Sequence, residues 1–181
     1  MELETRNSKL ETEDLARRAK RLKLLLMDCD GVLTDGRIWL TADGEEQKAF
    51  HVRDGQGIVL LHRAGVRTGI ISGRASAATE RRAGELNMSF LHQGVDDKVR
   101  VLEEVLREAG VSPGECGYIG DDVGDIEVMT RVGLAVAVAD AADEAKQIAH
   151  FVTTAAGGKG AVREVCEMIV AAQKHESKMS A

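Results

Sequence analysis

Two aspartates, Asp28 and Asp30, stand directly after the largely apolar run of residues 22–27. The run predicts a short buried strand, and the carboxyl end of a strand is where an open α/β sheet binds its ligands. Two acids beside an apolar strand are costly unless a cation or a reaction requires them. This pair is therefore the first candidate for the chemistry of the chain.

Two further polar clusters each follow a predicted strand. Because the carboxyl ends of parallel strands share one edge of a sheet, these clusters are expected to converge on the first aspartate pair. Lys98, at the start of a predicted helix, is expected to add a positive charge beside a helix N-terminus, and both favour an anion. The clusters are Ser72 with Gly73, after the strand 66–71, and Asp121, Asp122 and Asp125, after the strand 117–119.

The chemistry of such a set of groups is phosphoryl transfer. Several acids near one point repel each other, so a cation is expected among them, and hard carboxylate oxygens suit Mg²⁺. A divalent ion, a lysine, a hydroxyl and free backbone N–H groups together form a site for a phosphoryl group. One carboxylate can attack phosphorus, while a second protonates the leaving oxygen and later activates water.

The elements that must position these groups alternate between strand and helix, which predicts a doubly wound parallel sheet. Asp43-Gly44, between two β-prone runs, predicts a β-hairpin inserted at about residues 36–50. Residues 51–57 are predicted to form a loop. The other expected strands are 90–92, 134–138 and 151–153, and the expected helices are 58–64, 75–86, 97–109, 126–131 and 160–173.

The length of 181 residues favours one domain, and the net charge of −6 disfavours a nucleic-acid partner. No apolar stretch reaches transmembrane length and no signal-peptide pattern is present, so no membrane partner is expected. Three cysteines without disulfide or zinc spacing favour the cytoplasm. The domain is predicted over residues 22–173. An extension over 1–21, helical with a capping box at residues 8–11, precedes it, and a polar tail over 174–181 follows it.

The chain resembles the haloacid dehalogenase superfamily of phosphatases. The motifs that carry the resemblance are DCDGVLTDG (28–36), ISGR (71–74), Lys98 and GDDVGD (120–125), in the expected order. The stretches 50–58, 136–141 and 156–167 are similar to its capless branch, the 3-deoxy-D-manno-octulosonate 8-phosphate phosphatases. This resemblance covers residues 22–173. It implies a Rossmann-like core without a large cap domain, and hydrolysis of that phosphorylated sugar acid through an aspartyl-phosphate, in lipopolysaccharide sugar biosynthesis.

The resemblance also implies residue roles. Asp28 is expected to be the nucleophile and a Mg²⁺ ligand. Asp30 is expected to be the general acid and base, and to give its backbone carbonyl to the ion. Asp121 is expected to be the third ligand, with Asp122 and Asp125 supporting it, although either could simply cap the following helix. The phosphate is expected to contact Ser72, Gly73 and Lys98, and the sugar acid to contact Asp30, His51, Val52, Arg53, Asp54, Gly55, Arg74, Arg82, Lys98 and Lys159.

Arg74 and Arg82, eight residues apart, are expected to share one side of a helix and to present guanidinium groups to the sugar carboxylate. Members of the branch look like homotetramers in which the hairpins associate. The glycine-rich segment of residues 157–160 is expected to reach a neighbour's site, with a flexible linker as the alternative.

Two positions depart from the pattern of the branch, since Val59 stands where Arg is usual and His51 where Asn is usual. A phosphatase of a nine-carbon sugar-acid phosphate therefore stays an alternative. A non-catalytic oligomerisation domain is a second alternative, although the intact acids, serine and lysine argue against it. A phosphorylation-controlled receiver domain is disfavoured, because a receiver has no acid/base group two residues after its phospho-acceptor, as Asp30 follows Asp28.

Overall fold

Strands and helices alternate along the chain in the computed structural model, which describes residues 12–44 and 46–177, with side chains as far as residue 174. The capping box expected at residues 8–11 lies outside this part, as do residues 178–181 of the tail. The strands are β1 (Leu24–Met27), β2 (Trp39–Leu40), β3 (Glu46–Gln47), β4 (Arg67–Ile71), β5 (Phe90–His92), β6 (Cys116–Gly120), β7 (Leu134–Ala137) and β8 (Phe151–Val152). The helices are α1 (residues 12–20), α2 (Val52–Arg63), α3 (Ala77–Glu85), α4 (Lys98–Ala109), α5 (Ile126–Met129), α6 (Asp143–Ile148) and α7 (Ala161–Ser177).

The central sheet has six parallel strands in the order β5-β4-β1-β6-β7-β8. From the central β1 the chain builds outward through β4 and β5, then returns to the other side of β1 for β6, β7 and β8. This order confirms the predicted doubly wound parallel sheet. It also places a change of direction beside β1, which is where such sheets open a crevice for ligands.

The aliphatic core is continuous through the sheet. All four residues of β1 are fully buried, as a strand covered by helices on both faces requires. The N-terminal extension takes part in this core, because Ala19 is buried in it. The Arg18 guanidinium also donates to the carbonyl of Gly133, with a distance of 2.8 Å between the two atoms. The described part of the extension is therefore packed onto the domain.

Helix α4 ends at Ala109 as predicted and begins at Lys98, one residue after the predicted start. Asp97 precedes it as the N-cap and accepts a hydrogen bond from the backbone N–H of Arg100. Gly110 ends it in the left-handed conformation, with φ of 63°. The apolar positions between these ends face the core, so Lys98 is held at the first turn, next to the carboxyl edge of the sheet.

The prediction of a loop at residues 51–57 is wrong, because helix α2 already begins at Val52. Gly57, within the predicted loop, serves close packing between α2 and α7. A Cβ at Gly57 would lie 2.9 Å from the Cα of Arg163. The Asp54 carboxylate, buried in the same contact, accepts from the backbone N–H groups of Gly160 and Arg163 at the start of α7.

The helix expected over residues 75–86 is shorter than predicted, and α6 was missed. Ser76 takes the N-cap position of α3, so the helix begins at Ala77. Arg74 therefore precedes the helix that carries Arg82. The expectation that these two arginines share one helical side is wrong for this reason.

The predicted hairpin is confirmed as a small antiparallel pair, β2 with β3, directly after the acid loop of residues 28–36. Gly44 lies in its turn with φ of 86°, a conformation that favours glycine. Ile38, Trp39 and Leu40 expose apolar side chains on it. None of the helices in the described part of the chain is long and apolar enough to cross a bilayer.

Candidate active site

The polar groups that follow the strands converge on one cavity at the carboxyl ends of β1, β4 and β6. The cavity has a volume of about 250 Å³. Its position agrees with the expectation drawn from parallel strands that share one edge. The residues that line it are Asp28, Asp30, Ser72, Gly73, Arg74, Lys98, Asp121, Asp122, Gly124 and Asp125.

A chain of hydrogen bonds holds Asp28 in place. The Lys98 ammonium donates to Asp28 Oδ2 at 2.9 Å and to Asp125 Oδ1 at 2.8 Å. The fully buried Tyr118 hydroxyl donates to the same Asp125 oxygen at 2.7 Å. Burial lowers the pKa of Lys98, but the two carboxylates outweigh it and raise that pKa above its ordinary value. Lys98 is therefore a fixed positive charge beside Asp28.

Asp121 is the least satisfied acid of the site. Its Oδ1 is buried and has no hydrogen-bond partner among the described residues. Burial first, and then the negative charges of Asp125 and Asp28, raise its pKa to about 8. Burial also raises the pKa of Asp28, against the lowering effect of Lys98.

These carboxylates fit a divalent cation. Ligand oxygens of Asp28, Asp121 and Asp125 lie within 4.8 Å of one another. An ion placed among them would partner the unpaired Asp121 oxygen and offset the mutual repulsion that raises its pKa. The donor set consists only of oxygens, which suits Mg²⁺.

Asp125 has both of its oxygens occupied by the protein. Oδ1 accepts from Lys98 and Tyr118, and Oδ2 accepts from the backbone N–H groups of Asp121 and Asp122. It therefore orients the loop after β6, whereas the unpaired oxygen belongs to Asp121. Asp122 accepts from the N–H of Val123 and caps the short turn that follows.

Glycine is required at the first turn of the acid loop. Gly31 has φ of 87°, and a Cβ there would lie 1.9 Å from Asp121 Oδ2. The loop can therefore approach the carboxylate after β6 only without a side chain at this position. This close approach brings Asp28 and Asp30 of the loop to the same cavity as Asp121.

Comparison with known proteins agrees with this geometry. A model of the haloacid dehalogenase-like hydrolase family matches residues 81–165. The 3-deoxy-D-manno-octulosonate 8-phosphate phosphatase KdsC of Yersinia pestis is 46% identical over 161 residues, which cover 89% of this chain and 86% of that protein. The chain belongs to the haloacid dehalogenase-like hydrolases. Within them it is a member of the family of 3-deoxy-D-manno-octulosonate 8-phosphate phosphatases.

Solved structures of this hydrolase family have the same fold. A probable YrbI family phosphatase from Pseudomonas syringae superposes with a TM-score of 0.88 at 48% identity, covering 93% of this chain and 96% of that one. The 3-deoxy-D-manno-octulosonate 8-phosphate phosphatase of Moraxella catarrhalis gives a TM-score of 0.87 at 40% identity, covering 92% and 95%. That structure holds a magnesium ion, a phosphate ion and a KDO molecule.

Ser72 and Gly73 of the hydrolase lie at the end of β4, opposite Asp28. Ser72 is buried, and its hydroxyl accepts from the backbone N–H of Arg74 at 3.4 Å. Gly73 lines the cavity without a side chain. The Ser72 hydroxyl, the backbone at Gly73 and the Lys98 ammonium together offer hydrogen-bond donors to an anion.

Arg74 lies at the mouth of the cavity, about half exposed. Its guanidinium donates to Glu46 Oε2 at 2.5 Å, and its Nε lies 3.9 Å from Asp30 Oδ2. Arg82 lies elsewhere, since it stacks on the Phe50 ring with 5.9 Å between its Cζ and the ring centre. The structure therefore brings only one of the two expected arginines to the cavity.

The segment of residues 51–55 is also held apart from the residues that line the cavity. Asp54 is used by the start of α7, and a Cβ at Gly55 would lie 2.3 Å from Arg82 Nη2. His51 Nδ1 lies 3.8 Å from Asp54 Oδ2. Val52 and Arg53 point into solvent at the first turn of α2.

The glycine-rich segment contacts the acid loop of its own chain. Gly158 donates its N–H to the carbonyl of Val32, and a Cβ at Gly157 would lie 1.7 Å from the carbonyl oxygen of Gly31. These contacts are too close for a flexible linker, so that alternative is wrong for the two glycines. The side chain of Lys159 is largely exposed, with its Nζ 3.9 Å from Asp35 Oδ2.

Sequence analysis missed three residues of the site. Lys48 donates to both carboxylate oxygens of Asp30, Glu46 pairs with Arg74, and Tyr118 supports Asp125. Burial lowers the pKa of Lys48, but Asp30 and then Glu46 raise it above its ordinary value. One signal was present for the hairpin pair, since residues two apart in a β-prone run point to the same face. Tyr118 gave none, because a tyrosine on a central strand is ordinary core.

Proposed function

We propose that this hydrolase is a Mg²⁺-dependent phosphatase that hydrolyses 3-deoxy-D-manno-octulosonate 8-phosphate to the free sugar acid and phosphate. The observation that carries the proposal is the convergence of Asp28, Asp30, Ser72 and Lys98 on one cavity beside Asp121. The name and bound molecules of the Moraxella catarrhalis relative support the choice of substrate.

The first step transfers the phosphoryl group to Asp28. A carboxylate oxygen of Asp28 attacks phosphorus, and the bond from phosphorus to the sugar oxygen breaks. The proton that the leaving oxygen needs comes from the Asp30 carboxyl group. Lys98 and Ser72 face the oxygens of the transferring group and stabilise its charge.

The second step hydrolyses the aspartyl-phosphate. Asp30, now a carboxylate, takes a proton from a water molecule as that water attacks phosphorus. The bond between phosphorus and the Asp28 oxygen breaks, which restores the Asp28 carboxylate and releases phosphate. Asp30 is then protonated again, so the pair is ready for another turnover.

Asp28 and Asp121 are the side chains that would hold Mg²⁺, with the backbone carbonyl of Asp30. Asp122 and Asp125 support this set, and the hydrogen bonds of Asp125 to the loop after β6 favour that role. The ion supplies positive charge that offsets the negative charge of the phosphoryl oxygens and lets Asp28 approach them.

The sugar end of the substrate is assigned to the mouth of the cavity. Arg74 is the nearest guanidinium there, and a sugar carboxylate would replace Glu46 as its partner. The predicted contacts of His51, Arg82 and Lys159 stay part of the proposal as an outer rim. In a single chain these residues are not among those that line the cavity, so their contribution depends on the assembly.

Val59 replaces the Arg that is usual in the branch, which weakens the case for the eight-carbon acid. It is not among the residues that line the cavity. It is half-buried on α2 and packs against the core, about 10 Å along the helix from Val52. The nine-carbon sugar-acid phosphate stays the second candidate for this reason. Exchanging Val59 for Arg is expected to shift the preference between the eight-carbon and nine-carbon substrates, and unchanged kcat/KM values for both would contradict a role of Val59 in specificity.

The proposal includes a homotetramer and a cytoplasmic location. The exposed apolar side chains of Ile38, Trp39 and Leu40 on the hairpin support association through that element. Cys29, Cys116 and Cys166 are free and buried, which fits a reducing compartment.

Phosphate release from three groups of substrates tests the proposal. The substrates are 3-deoxy-D-manno-octulosonate 8-phosphate, its nine-carbon analogue and simple sugar phosphates, each with Mg²⁺ and with EDTA. We expect Mg²⁺-dependent release from the eight-carbon substrate, with kcat/KM at least about 100-fold above the other two. Asp28→Asn, which keeps the shape of the side chain but lacks the nucleophile, is expected to abolish release.

Each other result identifies what is wrong. Preference for the nine-carbon analogue keeps the mechanism and replaces the substrate. Release that persists in EDTA contradicts the role of Mg²⁺. No release from any substrate by the wild-type chain contradicts the function and favours the oligomerisation domain.

A further inference from the structure

One buried side chain of the β-hairpin, Lys48, contacts Asp30, the proposed general acid and base. Lys48 follows β3 directly and is only 2% exposed. Its Nζ donates to Asp30 Oδ1 at 2.6 Å and to Asp30 Oδ2 at 2.7 Å. A lysine is costly to bury without a partner, and here the partner is the acid and base of the reaction.

Lys48 belongs to a group of four alternating charges at the mouth of the cavity. Lys48 Nζ lies 3.2 Å from Glu46 Oε1, and the other Glu46 oxygen accepts from Arg74. Arg74 in turn approaches Asp30. Two residues of the hairpin therefore contact one residue of the acid loop and one residue after β4.

We propose that Lys48 is the positioning residue of Asp30, so that the hairpin orients the general acid and base. The proposal rests on the proposed phosphatase activity, because Asp30 has that role only there. Asp30 lies on a loop, where a free carboxylate would rotate about its side-chain bonds. Bonds to both oxygens fix one orientation of the carboxyl group towards the cavity.

A fixed acid matters most for a leaving group that departs poorly without a proton. When one oxygen of Asp30 turns to the sugar oxygen, the other keeps its bond to Lys48 and the acid stays aligned. Misplacement by about 1 Å is enough to cost about 100-fold in rate. Because Lys48 is absent from the residues that line the cavity, as far as the described chain shows, this effect passes through Asp30.

The hairpin thereby orients the proposed acid and base in a protein that has no large cap domain. It does not merely sit beside the cavity, because its only buried charged side chain in the described residues holds the acid. A change in the hairpin should therefore alter proton transfer before it alters phosphate binding.

Lys48→Met tests the proposal, because methionine keeps the length and apolar stem of the side chain and removes the ammonium. The two substrates are 3-deoxy-D-manno-octulosonate 8-phosphate and p-nitrophenyl phosphate, whose leaving group departs as an anion. We expect kcat/KM for the sugar phosphate to fall about 100-fold, while kcat/KM for p-nitrophenyl phosphate stays within about threefold.

The second step adds a signature of its own. Hydrolysis of the aspartyl-phosphate needs Asp30 as a base whichever group has left. With p-nitrophenyl phosphate, Lys48→Met is therefore expected to show a burst of nitrophenolate equal to the enzyme concentration and then slow turnover.

Three controls separate positioning from a structural role. Lys23→Met removes an ammonium paired with Glu115 at the opposite edge of the sheet, and is expected to match the wild type with both substrates. Asp30→Asn is expected to show the same split, and Lys48→Met added to Asp30→Asn is expected to cause no further loss. The melting temperature of each variant reports whether it folds.

The outcomes distinguish this proposal from the proposed function. If the wild type turns over neither substrate, the proposed function is wrong. If the wild type is active and Lys48→Met loses both substrates equally, or further lowers the activity of Asp30→Asn, Lys48 does not act through Asp30. A rise in KM without a fall in kcat would instead make Lys48 a substrate contact and overturn the inference.

Discussion

Two lysines each hold one aspartate of the DxD pair, and they come from different kinds of structure. Lys98 lies at the first turn of a twelve-residue helix and reaches Asp28 together with Asp125, which is tied to the core by Tyr118. Lys48 follows a strand of two residues in an insertion whose apolar side chains are exposed. Asp28, the proposed nucleophile, is thus held by the sheet and its helices, and Asp30, the proposed acid and base, is held by the hairpin.

This difference separates two requirements of the reaction. Attack on phosphorus needs a fixed charge arrangement in every state, which a helix and a buried hydrogen-bond chain provide. Proton transfer needs a group that releases one contact and regains it. An isolated two-stranded hairpin is marginal by itself, so this hairpin depends on its contacts with Asp30 and Arg74 to stay in place.

In the comparison of the two lysines, the largest expected effect is that of Lys98→Met. It removes the charge that contacts Asp28 and, in the proposed reaction, the phosphoryl group, so we expect kcat/KM to fall about 1,000-fold. The loss should be equal for the sugar phosphate and for p-nitrophenyl phosphate, because neither leaving group changes the need for this charge. A loss confined to the sugar phosphate, as expected for Lys48→Met, would contradict the contrast between the two lysines.

A second prediction concerns the pH dependence of Mg²⁺ affinity at Asp28 and Asp121, the part of the site that Lys98 holds. Because the pKa of Asp121 is about 8 without an ion, the carboxyl group holds a proton at neutral pH that Mg²⁺ must displace. The apparent affinity should therefore rise up to about tenfold per pH unit between pH 6 and 8, then level off. Melting temperatures measured against Mg²⁺ concentration at each pH provide the affinity.

The same proton sets the stability of the ion-free protein. The unfolded chain loses this proton near the ordinary pKa of an aspartate, well below 8, so the folded state binds more protons in between. The free energy of unfolding in EDTA should therefore fall as the pH rises towards 8. Two results would contradict the assignment of this proton to Asp121. One is a melting temperature of the ion-free protein that rises over that range, and the other is an Mg²⁺ affinity that does not change with pH.

The smallest expected effect is that of Tyr118→Phe. The change removes one buried hydrogen bond to Asp125 and leaves the bond from Lys98, so we expect a loss of about 1 kcal/mol in stability. Activity should fall about tenfold or less with both substrates, since Asp28 keeps its own lysine. Denaturant unfolding and kcat/KM measure the two effects, and an unchanged stability would mean that the hydroxyl is not needed to hold Asp125.

Most of the framework could be predicted from sequence because it depends on local signals. A buried apolar run followed by polar residues marks each of β1, β4 and β6, and Asp97 with Gly110 bounds α4. Convergence of the strand ends then follows from parallel order alone. The acids, Ser72 and Lys98 were found for this reason.

The errors arose where a residue serves a distant partner. Asp54 and Gly57 were predicted to lie in a loop, but both contact α7, which lies about a hundred residues later in the chain. The expected shared helical side of Arg74 and Arg82 rested on their spacing alone, but α3 begins only at Ala77 and Arg82 packs on the Phe50 ring. Lys48 could not be assigned, because the hairpin's placement over Asp30 depends on how the insertion folds back.

The close contact of Gly157 with Gly31 bears on how the protein is made. The loop that carries Asp28 and Asp30 is synthesised first, and the glycine segment that packs on it and the helix start that Asp54 caps leave the ribosome more than a hundred residues later. Pairings at such separation form slowly, since the chain must first close a long loop. A nascent or prematurely terminated chain that ends before residue 157 would therefore carry all the proposed catalytic groups and still lack this packing, which would delay activity until the glycine segment has emerged.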